Sequence, residues 1–330
     1  MRWLIGLLAL GLLVPAALAD DPKPLADRDT FWRSFFARPS DSPSPAGNVP
    51  NAAKLSLGYD LFRDPRLSGR EERTCASCHD PSRAFSNGEA RGIALDGSPL
   101  KRNVPALYGL AWGQAFYWDG RAPSLEAQAH FPITAANEMG GDFSVIVKRL
   151  AADEAMRTRF AAAFPDEPQV SETTILKAIA AYERSLLPPK TRFDLWVEGN
   201  DGAIGDLEKQ GFSIFVGKGG CVACHGGWRL TDDAFHDIGL PGDDPGRGAI
   251  DGGVPGLAQF KTPSLRESLH TAPYMHDGSL ATLDAVVDHY SGGLIKRPSL
   301  AVNVQRDLRL SEPEKRALVA FLKTLASTSH

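Results

Sequence analysis

Helical periodicity is the main hydrophobic pattern in this chain. Apolar residues recur three and four positions apart in the segment 171–187, where they form one stripe: Ile175, Ile179, Tyr182 and Leu186. A second pattern predicts helix over 143–163, and a third helix begins at the capping box Ser311–Glu314. The alternation typical of strands is not visible, so the sequence predicts a mostly α, loop-rich fold.

A short repeat divides the chain into two halves. GYDLF at 58–62 is matched by GFSIF at 211–215, and both have the spacing of a helical turn that carries aromatic residues. Pro188-Pro189 ends the predicted helix between the two copies. We therefore expect two domains, 20–190 and 191–330.

The first 19 residues are typical of a secretory signal peptide. Arg2 precedes an apolar core, and an A-x-A cleavage pattern ends at Ala19. A membrane anchor is the alternative, but the apolar run is shorter than a membrane span. The chain is therefore expected to be exported without stable membrane insertion. The 330 residues carry a formal net charge of −4, which excludes a broad basic surface for nucleic acid.

All four cysteines lie in two C-x-x-C-H motifs. The motifs are Cys75, Cys78 and His79, and Cys221, Cys224 and His225. Two thiols at this spacing can bond the two vinyl groups of one haem, and the next His then reaches the iron. Redox-active and zinc-binding C-x-x-C pairs are the alternatives, but a zinc site would have to join two pairs that lie far apart in the chain. The motifs therefore predict two covalent haem c groups, which bacteria attach on the periplasmic side.

Further segments carry a family resemblance, namely LFRDPRLS at 61–68, YWDGRA at 117–122 and YMHDG at 274–278. With the cysteine motifs, they make nearly the whole mature chain similar to the bacterial dihaem cytochrome c peroxidase and MauG family. The resemblance implies two cytochrome c-like haem domains packed across an inter-haem interface. One haem would meet hydrogen peroxide, and the other would store electrons. Trp118 would relay electrons between them; an ordinary core tryptophan is the alternative.

The resemblance also implies a peroxide pocket that contains Gln128, Pro132 and Glu138. Glu138 matches the distal carboxylate that handles protons while the O–O bond breaks. A carboxyl group in an apolar pocket beside a haem has a raised pKa, which suits proton exchange with peroxide. A glutamate at a helix end or on the surface is the alternative.

The first haem departs from the classical pattern of this family. Classical peroxidases place a removable histidine ligand where this chain has Leu95, and neither His nor Met lies near that position. The first haem is therefore expected to have an open distal side. This departure points to the MauG-like branch of the family.

The second haem departs as well, because Tyr290 stands where classical members have a methionine ligand. From an N-cap at Thr282, the predicted helix buries Tyr290 and turns His289 toward solvent. Tyrosine is a hard anionic donor that stabilises oxidised iron. A core tyrosine is the alternative, and Met275 and His276 are outside candidates for the ligand.

A Ca²⁺ ion between the haems is also implied by the resemblance. The side chain of Asn103 and the backbone carbonyls of Thr271 and Pro273 match its ligands, with waters completing an oxygen shell. Asn103 could equally be a turn residue.

The function implied is that of a MauG-like enzyme. It would use hydrogen peroxide to reach a high-valent dihaem state that oxidises an aromatic residue, a tryptophan, of a periplasmic partner protein. The alternative is a peroxidase that reduces hydrogen peroxide with electrons from a small periplasmic cytochrome or copper protein. A plain dihaem electron carrier is the third candidate, and it would need both irons closed.

Overall fold

The computed structural model describes residues 25–253, 256–306 and 308–328, with side chains from residue 29 onward; the predicted signal peptide lies outside the described residues. The fold is mostly α, as predicted. The helices are α1 Leu25–Phe36, α2 Ala52–Leu61, α3 Leu125–Thr134, α4 Phe143–Ala152, α5 Glu154–Ala163, α6 Glu172–Ser185, α7 Arg192–Val197, α8 Asp206–Val216, α9 Gly248–Asp251, α10 Leu283–Asp288 and α11 Glu312–Lys323. The strands β1 Phe235–His236 and β2 Phe260–Lys261 form one antiparallel pair. None of the helices described is long and apolar enough to cross a bilayer.

Local capping signals account for most helix starts. Ser171 accepts a hydrogen bond from the Thr174 N–H at 3.1 Å, and the Ser311 N–H donates to Glu314 at 2.8 Å. The single helix predicted over 143–163 is wrong. Asp153 ends α4 and its carboxylate caps α5, because it accepts the Ala155 N–H at 2.9 Å.

The buried side chains form two apolar clusters. The first is built from α2 to α6 and the loops around them, and it spans residues 57–182. The second is built mainly from α7, α8, α10 and α11, and it is rich in aromatic rings. Phe36 of α1 packs on Phe193 and Phe212 of this second cluster, with ring centroids 5.5 and 5.8 Å apart. α1, the first helix among the described residues, therefore covers the second cluster.

The two copies of the sequence repeat make the same helix crossing. Gly58 of α2 faces Ala178 of α6 so closely that a Cβ atom would overlap the Ala178 carbonyl. Gly211 of α8 faces Ala317 of α11 in the same way. The repeat therefore marks the tight contact between two helices in each half of the molecule.

Replacing Gly211 with alanine is expected to destabilise the protein by about 1–3 kcal/mol, because the new methyl group forces α8 and α11 apart. At an open helical site the same change would gain up to about 1 kcal/mol. Gly47 is the matched control, since no atom lies within 4 Å of its Cβ position. The measurement is urea unfolding of both haem-loaded variants. An unfolding free energy of the Gly211→Ala protein equal to that of the parent would contradict the close packing.

Candidate functional site

The two motif histidines are held in the same way. His79 Nδ1 lies 2.8 Å from the carbonyl oxygen of Phe85, and His225 Nδ1 lies 2.9 Å from that of Leu230. Because a carbonyl only accepts, each Nδ1 carries the proton and each Nε2 keeps its lone pair. Burial lowers the pKa of both imidazoles, so both are neutral. Each ring is thus prepared to bind a metal through Nε2.

The cysteine pairs lie in separate halves of the molecule. Cys75 packs against the first apolar cluster and Cys221 against the second, and none of the four cysteines forms a disulfide. The pairs therefore do not meet in one four-ligand zinc site. Burial raises the pKa of Cys221 to about 12 and raises that of Cys75 as well, so both thiols stay protonated. Paired thiols on one turn, a neutral histidine and an apolar wall fit a covalently attached haem in each half.

Trp118 lies between the two halves. Its indole N–H donates to the carbonyl of Asn103 at 2.9 Å, and its ring centroid lies 6.5 Å from that of His276. Two backbone bonds cross the same interface: the Lys261 N–H donates to the Trp118 carbonyl at 2.8 Å, and the Asn103 N–H donates to the His276 carbonyl at 2.7 Å. The position of Trp118 is therefore fixed by both halves.

His276 is the counterpart of Trp118 in a second copy of the same loop. Residues 116–122 and 274–280 are both closed by an antiparallel bridge between their end residues. Tyr117 and Met275 both have positive φ, at 69° and 76°, and each loop has a glycine of positive φ three residues later. The shared Asp-Gly after an aromatic or imidazole ring is the signal in the sequence that could have revealed this pairing.

Glu138 follows α3 and faces the first cysteine pair. It is half-buried, and its carboxyl accepts no hydrogen bond from the part of the chain that the structure describes. Burial raises its pKa, while the Arg121 guanidinium lowers it. Its charge in turn raises the pKa of Cys78, which places it close to the first haem turn. Leu95 joins the same region, because its N–H donates to the Asn137 carbonyl at 2.9 Å.

Pro132 and Gln128 are linked to Trp118 through Tyr117, the residue before it in the chain. Pro132 lies inside α3 and lacks an N–H, so the Gln128 carbonyl four residues earlier has no helical donor. The Tyr117 hydroxyl fills this place and donates to that carbonyl at 2.9 Å. Arg121 stacks on the other side of the Tyr117 ring, with its guanidinium carbon 3.5 Å from the centroid. The helix defect thus anchors the residue next to Trp118.

Replacing Tyr117 with phenylalanine is expected to cost about 1 kcal/mol of stability, since the Gln128 carbonyl loses its donor. Pro132→Ala restores an N–H there, so its effect should be about 0.5–1.5 kcal/mol more favourable in the Tyr117→Phe protein than in the parent. A double-mutant cycle of urea unfolding measures this difference. Zero coupling between the two positions would show that the hydroxyl does not replace the missing helical donor.

Glu183 is a buried carboxyl group close to Cys75. It is 5% exposed, and its Oε2 makes no hydrogen bond to any residue that the structure describes. Burial raises its pKa to about 8; neighbouring Arg184 lowers the pKa and Glu126 raises it further. Arg184 is turned to Glu126, which it binds through two hydrogen bonds of 2.8 and 2.7 Å. Glu183 is therefore uncharged at neutral pH.

The pH dependence of the unfolding free energy should reveal the proton on the Glu183 carboxyl group. Between pH 4.5, the ordinary pKa, and about 8, folded Glu183 keeps a proton that the unfolded chain releases, so unfolding free energy falls with rising pH. Glu183→Gln removes this loss, and we expect it to gain on the order of 3 kcal/mol relative to the parent between about pH 5 and pH 9. Urea unfolding at both pH values measures the gain. Glu154→Gln, at the exposed start of α5, is the control and should show no such trend. Parallel pH curves for Glu183→Gln and the parent would contradict the buried proton.

The phenol of Tyr290 lies at the second cysteine pair. Burial and the nearby thiols of Cys221 and Cys224 raise its pKa, and its hydroxyl makes no hydrogen bond within residues 25–253, 256–306 and 308–328. The N-cap at Thr282 is confirmed, because its side chain accepts the Ala285 N–H at 3.1 Å. Tyr290 therefore combines the position and the unbonded oxygen that a metal ligand needs.

The prediction that His289 faces solvent is wrong. The side chain is 7% exposed, and its Nε2 lies 2.8 Å from the Ile238 carbonyl oxygen. α10 ends at Asp288 and continues as a π-helical turn, His289–Gly293. His289 keeps helical dihedral angles (φ −55°, ψ −49°), so the wheel gives its direction, and its face of the helix is buried because the chain at Ile238 covers it. The His289 ring is therefore engaged in a hydrogen bond to the backbone, whereas the neighbouring Tyr290 hydroxyl has no such bond among the described residues.

The side-chain amide of Asn103 lies among three backbone carbonyl groups. Its amide nitrogen donates to Glu89 at 3.0 Å and to Ala90 and Pro273 at 3.3 Å each. Several oxygens around one polar group, with an amide that can turn its own oxygen inward, fit the ligand preference of Ca²⁺. The structure thus brings Asn103 and the Pro273 carbonyl together. The Thr271 carbonyl stays a predicted ligand.

An ion-pair cluster that no sequence motif indicates fixes Asp244, in the loop that begins at Gly239, at this interface. Arg102 binds Asp244 of the loop through two hydrogen bonds of 2.8 Å, and it binds Asp119 at 2.6 Å. Asp119 is the neighbour of Trp118 and is 5% exposed. Only the fold brings these three charges together, so no local motif announces them. The bidentate geometry is the strong form of this interaction, and it ties the loop to the Trp118 loop.

Comparisons with known proteins match these features. A family model described as di-haem cytochrome c peroxidase matches residues 52–202. The chain is 46% identical to the methylamine utilization protein MauG of Methylorubrum extorquens, over 89% of this chain and 84% of that one. It is 42% identical to MauG of Methylophilus methylotrophus, over 89% and 88%. A crystal structure of a MauG-like protein associated with microbial copper homeostasis matches with a TM-score of 0.79 at 33% identity, over 89% and 94%.

Proposed function

The chain belongs to the di-haem cytochrome c peroxidase family, and from this premise we propose that it is a MauG-like enzyme that uses hydrogen peroxide to oxidise a tryptophan of a partner protein. The observation that carries the proposal is Tyr290, a partly buried phenol beside the second cysteine pair, whose hydroxyl makes no hydrogen bond to the residues that the structure describes. Two MauG proteins are among the similar chains. When bound, the two haems supply the iron that takes up the oxidising equivalents of peroxide.

Each haem is assigned its own residues in this proposal. The first would be held by Cys75, Cys78 and His79, and the second by Cys221, Cys224, His225 and Tyr290. The tyrosinate is a hard anionic donor, which favours storage of oxidising power over acceptance of electrons from a weak donor. This ligand separates the proposal from simple peroxide removal.

Glu138 handles the proton of the substrate. It takes the proton from one peroxide oxygen and returns it to the other, which then leaves as water. Its half-buried carboxyl, with a pKa raised by burial, suits exchange in both directions. Leu95 offers no ligand atom, so peroxide has access to the first haem without prior reduction.

Trp118 relays electrons between the two halves. Its N–H donates to the Asn103 carbonyl, which accepts the hydrogen bond but is too weak a base to take the proton. The indole therefore loses an electron while it keeps its proton. A group that keeps its proton returns readily to its starting state. Pro132, Gln128 and Tyr117 act as positioning residues for this ring through the bond described above.

The proposal also includes a bound Ca²⁺ ion and a periplasmic location. Asn103 and Pro273 would hold a Ca²⁺ ion near the interface, which would stiffen the contact that positions Trp118. The protein would work in the periplasm, where c-type haem is attached and where its partner protein would be found.

The test is optical. One equivalent of hydrogen peroxide is added to the fully oxidised protein, and the haem absorption bands are followed without any reductant. An immediate change in the bands of both haems supports the MauG-like function. A response only after the second haem has been reduced, followed by rapid oxidation of a reduced small cytochrome, would instead support the peroxidase.

A further inference from the structure

Two tryptophans meet where the halves of the molecule join at the surface. The rings of Trp112 and Trp228 lie 4.6 Å apart between centroids, at an interplanar angle of 74°. Both side chains are partly exposed. Trp112 belongs to the first half, in a turn after Gly109, whose N–H donates to the Leu186 carbonyl at 2.9 Å. The pair therefore joins both halves and reaches solvent.

Trp228 is rigidly tied to the second haem turn. It stands three residues after His225 and two before Leu230, whose carbonyl orients the His225 ring. Its own carbonyl accepts from Arg266 Nε at 2.7 Å, and Arg266 is buried with Asp194 at 2.7 Å. The indole thus lies on the same short loop as the iron-binding histidine.

The positive charge near Trp228 favours onward transfer of an electron vacancy over its retention on this ring. The guanidinium carbon of Arg38 lies 5.8 Å from the Trp228 ring centroid. A cation near an aromatic ring is attracted by the neutral ring and repelled by an oxidised one. The Arg38 charge therefore makes an electron vacancy on Trp228 less stable, which favours its transfer to Trp112.

We propose that Trp228 and Trp112 form the exit through which oxidising equivalents leave the second haem toward the partner protein. This inference rests on the proposed function. Trp228 would give one electron to a haem held by Cys221, Cys224 and His225, Trp112 would give one to Trp228, and an aromatic side chain of the partner would give one to Trp112. Two such rounds, with two protons, reduce one hydrogen peroxide to two waters. While the partner supplies electrons, neither tryptophan is consumed; without it, a tryptophan that has lost two electrons takes up oxygen from water and releases protons.

The experiment uses the haem-loaded protein without a partner. After one equivalent of peroxide, the return of the haem bands is followed in the parent and in Trp112→Phe/Trp228→Phe, and oxygenated tryptophans are mapped by mass spectrometry. We expect the double variant to respond to peroxide as the parent does but to return severalfold more slowly. In the parent, oxygen is expected at Trp112 and Trp228. Phenylalanine retains the packing, and Trp112→Phe alone provides the same comparison if the double variant folds poorly.

Trp32→Phe is the matched control. Trp32 is also partly exposed and packs on the second cluster, but its ring neighbours are phenylalanines. The haem bands of the Trp32→Phe protein should respond to peroxide and return at the rate seen in the parent. If the double variant returns at the parent's rate, or if oxygen appears mainly at Trp32, the exit is wrong and the proposed function stands. If peroxide leaves the parent's bands unchanged, the proposed function fails and the exit fails with it.

Discussion

Replacing Glu138 with glutamine is expected to slow the reaction of the oxidised protein with hydrogen peroxide by about 10²–10⁴-fold, the usual effect of losing a general acid–base group. The amide neither takes the peroxide proton nor returns it to the leaving oxygen. Glu138 is not among the residues that would hold the haem at Cys75–His79, so haem content and the resting spectrum should stay those of the parent. Stopped-flow absorption at increasing peroxide concentration gives the second-order rate constant.

The pH profile supplies a second signature of Glu138. The carboxylate is the form that accepts the proton, so the parent's rate should rise with pH through the pKa of Glu138, which burial places above its ordinary value. The glutamine variant should lose this step. Glu72→Gln is the control, because Glu72 is exposed near the same haem turn. A rate unchanged in Glu138→Gln would mean that water alone moves the proton.

The parts of the site that follow from local chemistry are visible in the sequence. A C-x-x-C-H turn places two thiols and an imidazole together by itself, and caps such as Thr282 and Ser311 depend on residues three positions away. The repeat around Gly58 and Gly211 is likewise local. For these features, spacing alone determines which atoms meet.

The remaining features depend on contacts that spacing does not encode. His289 is buried because Ile238, a residue 51 positions earlier, covers its face of the helix, and no helical wheel contains that information. The break at Asp153 is a one-residue competition between continued helix and a side-chain cap. The Trp112–Trp228 pair joins residues from both halves of the chain. Each of these depends on tertiary packing, which overrides the local pattern.

Replacing Tyr290 with methionine is expected to raise the reduction potential of the second haem by on the order of 0.1 V or more, within the range of about 0.8 V that axial ligands span. The phenolate stabilises oxidised iron, whereas a neutral thioether stabilises reduced iron. Methionine is flexible and fills the volume of the ring with little strain. A spectroelectrochemical titration that resolves the two haems measures the shift, and the first haem should keep its potential.

Tyr274→Phe is the control that separates ligation from burial. Tyr274 packs against the second apolar cluster, and burial raises its pKa to about 12. Burial raises the pKa of Tyr290 too, but only there do the thiols of Cys221 and Cys224 add to the shift. If Tyr290 were only a core tyrosine, both variants would shift the potential slightly and by similar amounts. A large shift confined to Tyr290→Met assigns the ligand to Tyr290. The oxidised state of the second haem would then owe its stability to one phenolate, because the neighbouring His289 is already bound to Ile238.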